Sequence, residues 1–172
     1  MSGSDLSSVT IVPATREDLP TVAAVAERIW RRHYPGIITH EQIDYMLGLG
    51  YSLERLAEQI TSPGRWLDLA RVDGGIVGLA NPYLTGAPGE MKLDKLYVLQ
   101  EFHGRGIGSR LIAHVADRAR ALGCTRLVLN VNKRNASSIR AYERNGFRVR
   151  ESVVVDIGRG FVMDDHIMEK AL

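Results

Sequence analysis

The chain has 172 residues, enough for one domain with a substantial core, and its 45% hydrophobic and 24% charged residues are typical of a globular protein. The 22 basic and 20 acidic residues leave a net charge of +2, which gives no argument for binding nucleic acid, although arginines are concentrated between Arg105 and Arg150. The single cysteine, Cys124, excludes an intramolecular disulfide and a CxxC metal site. No apolar run approaches the ~20 residues needed to span a bilayer, so we expect no membrane contact and a cytoplasmic location.

The first half of the chain predicts one strand, three helices and then strands. We expect residues 1–8 to be flexible, and residues 9–172 to form a single domain. The predicted elements are a strand at Val9–Pro13, a helix after Thr15 that runs to about Arg32, helices capped by Thr39 and Ser52 that run through Met46 and Ile60, a hairpin of residues 66–72 and 76–82, and a strand at 91–99.

The second half predicts an alternation of helix and strand. An apolar stripe that starts at Ile107 predicts a helix, which Gly123 ends just before Cys124. A strand at residues 125–131, a short helix at 136–144 and two closing strands at 147–156 and 161–169 follow. This order indicates one α/β domain around a mixed, mostly antiparallel twisted sheet of about seven strands flanked by helices.

The most informative stretch is a glycine-rich turn between a strand and a helix, at His103-Gly104-Arg105-Gly106-Ile107-Gly108-Ser109. Glycines allow close approach of the backbone, and a helix start presents unpaired N–H groups with partial positive charge. Together they predict an anion site suited to a pyrophosphate. The alternative is a structural turn that binds nothing.

Two other phosphate-binding motifs do not fit this stretch. A Walker loop ends in Gly-Lys-Ser/Thr, which is absent here. A dinucleotide fingerprint has a different glycine spacing and an acidic residue after the next strand, where this chain has Asn130 and Asn132.

The turn resembles the pyrophosphate loop, R/Q-x-x-G-x-G/A, of the GNAT superfamily of acetyl-CoA-dependent N-acetyltransferases, with His103 in place of Arg or Gln. The resemblance implies that loop residues 103–109 bind the pyrophosphate of acetyl-CoA. It also implies that the backbone of Leu96, Tyr97 and Val98 pairs with the pantetheine arm.

A second match lies downstream, where residues 135–147 resemble the family's N-x-x-A-x-x-x-Y-x-x-x-G-F stretch, with Ser138 in place of Ala. The resemblance implies that Asn135 caps a helix and contacts the cofactor arm. It also implies that Tyr142, seven residues on, lies near the sulfur of coenzyme A, where a phenol can protonate the departing thiolate. The alternative for Tyr142 is simple packing.

The sequence gives less information about the general base and the acceptor site. Asp94 on the cofactor strand is one candidate base, and a surface ion pair with Lys92 or Lys95 is the equal alternative. By the family's layout, residues 30–49 form the acceptor wall, to which Trp30, His33 and Tyr34 would belong, with a packed aromatic cluster as the alternative. Asp164 and Asp165 on the last strand would hold a cationic acceptor, although solvated acids on an edge strand are the simpler interpretation.

The function predicted from these residues is transfer of an acetyl group from acetyl-CoA to a primary amine by direct attack, without a metal. The acceptor would be a small amine or a polyamine. The alternatives are a protein N-terminus or lysine as acceptor, or a non-catalytic acyl-CoA sensor. The predicted partners are the amine acceptor, with a homodimer left open, and neither nucleic acid nor membrane.

Overall fold

The computed structural model describes residues 8–172, so most of the N-terminal segment predicted to be flexible lies outside the described residues. Within them the chain forms five α-helices and seven strands in the predicted order. The helices are α1 Leu19–His33, α2 His40–Gly50, α3 Leu53–Thr61, α4 Ile107–Ala121 and α5 Ala136–Arg144. The strands are β1 Val9–Pro13, β2 Asp68–Val72, β3 Gly75–Leu84, β4 Glu90–Val98, β5 Arg126–Asn132, β6 Arg148–Gly158 and β7 Phe161–Ala171.

Capping side chains set where several helices begin. Thr39 Oγ1 accepts from the backbone N–H of Gln42 at 3.1 Å, and Ser52 Oγ accepts from the N–H of Arg55 at 3.2 Å. These bonds satisfy N–H groups that a helix start leaves without partners, and they confirm the predicted starts of α2 and α3. The expected end of α2 at Met46 was wrong, because the helix continues to Gly50 with no residue that breaks it.

The strands form one mixed sheet in the order β1-β2-β3-β4-β5-β7-β6. All neighbouring pairs are antiparallel except β4 and β5, which run parallel. The parallel register pairs only Glu90, Met91 and Lys92 with residues 126–128, and it ends there although both strands continue. The sheet therefore parts between the carboxyl halves of β4 and β5.

Helices cover both faces of this sheet. One core, which includes Leu111, Val115, Leu127 and Leu129, lies under α4. The other, which includes Val22, Ile43, Leu56 and Leu79, lies under α1, α2 and α3. Each apolar face is thus removed from water, which supplies the main driving force for folding.

One buried ion pair links α4 to β2. Asp68, 1% exposed, accepts from both terminal nitrogens of Arg118, one of them at 3.1 Å. The guanidinium lies 5.1 Å from the centre of the Trp66 ring. A buried carboxylate requires such a partner, because the isolated charge would be poorly solvated.

Candidate active site

The parting of β4 and β5 opens into a cleft of about 1040 Å³. Its walls come from α1, α2, α3, the carboxyl halves of β4 and β5, the start of α5 and the strands β6 and β7. Eleven of the predicted site residues line it, and they lie far apart in sequence: Trp30, His33, Tyr34, Asp94, Leu96, Tyr97, Val98, His103, Asn135, Tyr142 and Asp165. The fold thus brings the predicted cofactor strand and the predicted acceptor wall to one cavity.

The glycine-rich loop continues from the end of the cleft at His103 into α4. Gly104 and Gly106 both have φ of +76°, and a Cβ on either would meet no atom within 4 Å. Gly106 is the N-cap of α4, and no side chain caps this helix. The first amides of α4 therefore remain available to an anion, as the sequence pattern predicts.

The other residues of this loop differ in what they can contribute. The side chain of Ile107 is 2% exposed and belongs to the core under α4, so this residue can offer only its backbone amide. His103 Nε2 donates to the backbone oxygen of Val98 at 2.8 Å, which ties the loop to the end of β4. The guanidinium of Arg105 lies 4.8 Å from the centre of the Phe102 ring. Gly108 and Ser109 lie in the first turn of α4, outside the cleft lining.

Asn135 joins the two sides of the cleft. Its side chain is 4% exposed and accepts from Nε2 of His33 at 3.0 Å and from the backbone N–H of Ser138 at 3.4 Å. It therefore caps α5, as predicted, and also connects α5 to the end of α1. The prediction that it contacts the cofactor arm stays a prediction.

Tyr142 lies on α5 in the wall of the cleft, edge-on to Phe147 with ring centres 5.8 Å apart. Burial raises the pKa of its phenol, and the hydroxyl of Tyr34 contributes to the same shift. A phenol with a raised pKa stays protonated at neutral pH, which is the state of a proton donor.

An aromatic group forms another part of the cleft wall. Trp30 and Tyr34 are stacked with ring centres 4.2 Å apart, and the Trp30 ring also lies 6.0 Å from Tyr51 and 5.9 Å from Tyr97. The hydroxyls of Tyr34 and Tyr97 are 3.4 Å apart. The predicted wall residues thus pack together, as the alternative expected, and their contact with an acceptor stays a prediction.

The two adjacent acids on β7 point to opposite faces of the sheet, as strand geometry requires. Asp165 is 2% exposed, lines the cleft, and has an Oδ1 without a hydrogen-bond partner within residues 8–172. Burial raises the pKa of this carboxyl, opposed by a hydrogen bond from Asn130. Asp164 is exposed, forms an ion pair with Lys133 at 2.5 Å and lies outside the cleft lining. The structure therefore separates the two carboxylates that the sequence grouped.

Asp94 lies at an irregularity in β4, where the register with β3 shifts between Asn81 and Pro82. Its carboxylate lines the cleft, 3.5 Å from Lys95 Nζ and 3.8 Å from a guanidinium nitrogen of Arg65. The ion pair expected as the alternative to catalysis is thus present, with Lys95 as one of its partners.

Several cleft residues belong to no sequence motif and were not predicted as site residues. They are Tyr51 and Gln59 at the ends of two helices, Lys92 and Lys95 on β4, and Asn130 on β5. Strict alternation along β4 would place Lys92 and Lys95 on opposite faces, and the irregularity at Asp94 allows both to line the cleft.

The matched relatives agree with this geometry. Residues 24–147 match the acetyltransferase (GNAT) family. The chain is 32% identical over 155 residues to an uncharacterized N-acetyltransferase of Mycobacterium tuberculosis, covering 90% of this chain and 98% of the relative. It is 27% identical over 161 residues to the spermidine N(1)-acetyltransferase of Thermoplasma acidophilum, covering 91% of this chain and 96% of that one.

Solved structures support the same assignment. The fold matches the crystal structure of the PaiA N-acetyltransferase from Thermoplasma acidophilum in complex with coenzyme A, with a TM-score of 0.81 and 25% identity over 96% of this chain and 99% of that one. A GCN5-related N-acetyltransferase structure from Rhodopseudomonas palustris gives the same TM-score of 0.81 at 23% identity, over 99% of this chain and 100% of that one.

The fold and the cleft define an acyltransferase of the acetyl-CoA-dependent class. The chain belongs to the GNAT family and is an N-acetyltransferase. Within residues 8–172 no helix has the length and apolar character to cross a membrane, and no group of three or more His, Cys, Asp or Glu is placed to hold a metal ion.

Proposed function

We propose that this enzyme transfers the acetyl group of acetyl-CoA directly to the primary amine of a small cationic acceptor, with polyamines as the first class to test. The observation that carries the proposal is Asp165, a carboxylate buried in the cleft wall with one oxygen unpartnered within the described residues. Burying such a group is costly unless a cation or a donor meets it. The spermidine N(1)-acetyltransferase among the relatives supports a cationic acceptor.

The donor would bind along the parting of the sheet. Loop residues 103–109 would bind its pyrophosphate through backbone amides, because the space around Gly104 and Gly106 is open and α4 has no capping side chain. The backbone of residues 96–98 would pair with the pantetheine arm, since β5 leaves this edge of β4 without a register partner. Acetyl-CoA supplies the thioester, and the protein orients the amine toward it.

Two proton transfers would accompany the reaction. An ammonium must lose a proton before it can attack, and Asp94 in the cleft wall would receive it, directly or through water. Tyr142 would donate to the departing thiolate, since its raised pKa keeps the phenol protonated. The same shift makes it a weaker acid, so its contribution should fall near the lower end of the ~10²–10⁴-fold range of general acid catalysis.

A coenzyme A release assay across a panel of amines tests the proposal. The panel includes spermidine, cadaverine, an uncharged-tail monoamine and a peptide with a free N-terminus. We expect turnover with the small cationic amines, and a drop in kcat/KM for them in Asp165→Asn that exceeds the drop in Asp164→Asn, since only Asp165 lines the cleft. Turnover confined to the peptide would replace the proposal with protein acetylation. Binding of acetyl-CoA with no turnover on any amine would favour a sensor.

A further inference from the structure

The cleft collects unsatisfied polar groups. Within residues 8–172, four buried side-chain polar atoms have no hydrogen-bond partner: Trp30 Nε1, Tyr51 OH, Gln59 Oε1 and Asp165 Oδ1. All four residues line the same cleft. Because buried polar groups are nearly always paired in folded proteins, this concentration points to the groups of a bound molecule.

Three of these residues, Trp30, Tyr51 and Gln59, form one group near Lys95. Lys95 Nζ lies 5.1 Å from the centre of the Tyr51 ring, and the Trp30 and Tyr51 rings meet edge-on at 6.0 Å. Gln59 Nε2 donates to the backbone oxygen of Gly50, beside Tyr51, at 3.3 Å. The Lys95 side chain is 10% exposed, and burial lowers the pKa of its ammonium against the opposing pull of Asp94.

The charges at this end leave a cation in excess. Asp94 is shared by two cations, Lys95 at 3.5 Å and Arg65 at 3.8 Å. The neighbouring Arg55 and Glu58, also in the lining, neutralise each other at 3.0 Å. Three cations therefore accompany two carboxylates, and the most buried of the cations, Lys95, lies beside the Tyr51 ring. The Tyr51 hydroxyl has no partner within hydrogen-bond distance in the described residues, and the Trp30 indole N–H lies next to it.

We propose that Lys95, Tyr51 and Trp30 form a second subsite in the cleft that binds a carboxylate of the acceptor. The inference rests on the proposed small-amine function and narrows its acceptor from small cationic amines, polyamines included, to amines that also carry a carboxylate. Gln59 Oε1 adds one acceptor to the subsite, which an N–H donor next to that carboxylate would satisfy. An α-amino-acid head group supplies both.

The arrangement gives the cleft two ends of opposite preference. Asp165 favours an ammonium, and its charge contributes to the raised pKa of Tyr34. The Trp30–Tyr34 stack connects the two ends, because Tyr34 is near Asp165 and Trp30 meets Tyr51. The Lys95 end favours an anion. A molecule with an amine at one end and a carboxylate at the other matches both, whereas a polyamine leaves the Lys95 end unmatched.

Four compounds of equal chain length separate the contributions. L-lysine carries the carboxylate and the α-amine, 6-aminohexanoate only the carboxylate, cadaverine only a second amine, and pentylamine neither. Equilibrium binding of each, measured by calorimetry with coenzyme A present, does not depend on turnover. We expect the two carboxylates to bind at least ten times more tightly than their decarboxylated partners.

The variants assign this advantage to the subsite. Tyr51→Phe removes one hydroxyl and should reduce the carboxylate advantage about tenfold while leaving pentylamine binding unchanged. Lys95→Met should remove the advantage altogether. Tyr83→Phe is the matched control, because this tyrosine lies outside the cleft lining, and it should change nothing.

Equal binding of L-lysine and cadaverine would overturn the subsite, as would an advantage that survives in both cleft variants. Neither result touches acetyl transfer to amines, which the coenzyme A release assay tests separately. Conversely, carboxylate-dependent binding without turnover would keep the subsite and refute the proposed reaction.

Discussion

Comparing Gly106→Ala with Gly74→Ala separates the effect of backbone conformation on stability from the effect of a new side chain on coenzyme A binding. Gly106 has φ of +76° and open space where a Cβ would stand, and Gly74 in the β2–β3 turn has φ of +80° and the same open space. An L-residue in this region costs about 1–2 kcal/mol. Both Gly106→Ala and Gly74→Ala should therefore lower the melting temperature by about 2–8 °C, at roughly 2–4 °C per kcal/mol for a domain of this size.

Only the first variant should also lose affinity for coenzyme A, because its new methyl group stands where the ligand must approach. A ligand at 100 times its Kd stabilises the native state by about 2.7 kcal/mol, and a tenfold loss of affinity reduces this to ~1.4 kcal/mol. The coenzyme A-induced rise in melting temperature should thus be roughly halved in Gly106→Ala and unchanged in Gly74→Ala. Thermal unfolding with and without coenzyme A measures both effects. If the two variants respond to coenzyme A alike, the loop does not bind the pyrophosphate.

Three further predictions concern the site and its support. Tyr142→Phe should lower kcat about 10²-fold with little change in acetyl-CoA affinity, and a collapse of that affinity in titrations would make the hydroxyl a binding group. Asp165→Asn should stabilise the fold at neutral pH. Burial raises the pKa of Asp165 in the folded protein, so the unsubstituted protein loses stability as pH rises from the ordinary Asp pKa through that raised value. Thermal scans should show this gain vanish in acid, and a gain that persists there would contradict the argument. Arg118→Leu leaves Asp68 buried with only His114 beside it, at 3.6 Å, and should cost about 3–5 kcal/mol in denaturant unfolding, against less than ~0.5 for Asp117→Asn in an exposed pair.

Local patterns were sufficient to predict the fold and to locate the glycine-rich loop and α5. Helix starts follow from Thr39 and Ser52, whose side chains bond to their own helices. The glycine loop and α5 are each continuous in sequence, so each can be recognised from a single motif. The order of helices and strands could be predicted for the same reason, because the spacing of apolar residues that indicates each element lies within that element.

The acceptor half was less predictable because it is assembled from distant segments. Tyr51 and Lys95 meet across 43 intervening positions, and neither belongs to a motif. Asp164 and Asp165 were grouped because they are adjacent, although strand alternation separates them by face. The irregularity that presents Asp94 to the cleft depends on the pairing of β4 with β3, which no single segment encodes.

The short pairing between β4 and β5 also has a consequence for the resistance of the protein to proteolysis. Strands β1–β4 form one part of the sheet and β5–β7 the other. Within the sheet, only the pairing of residues 90–92 with 126–128 joins the two parts. Amide hydrogens along the parted edges of these strands should exchange rapidly with deuterium in the free protein. Acetyl-CoA bound between β4 and β5 would connect the two parts of the sheet. Acetyl-CoA supply would then govern resistance to proteolysis as well as turnover, because ligand binding to the folded state lowers the population of the opened state that a protease cleaves.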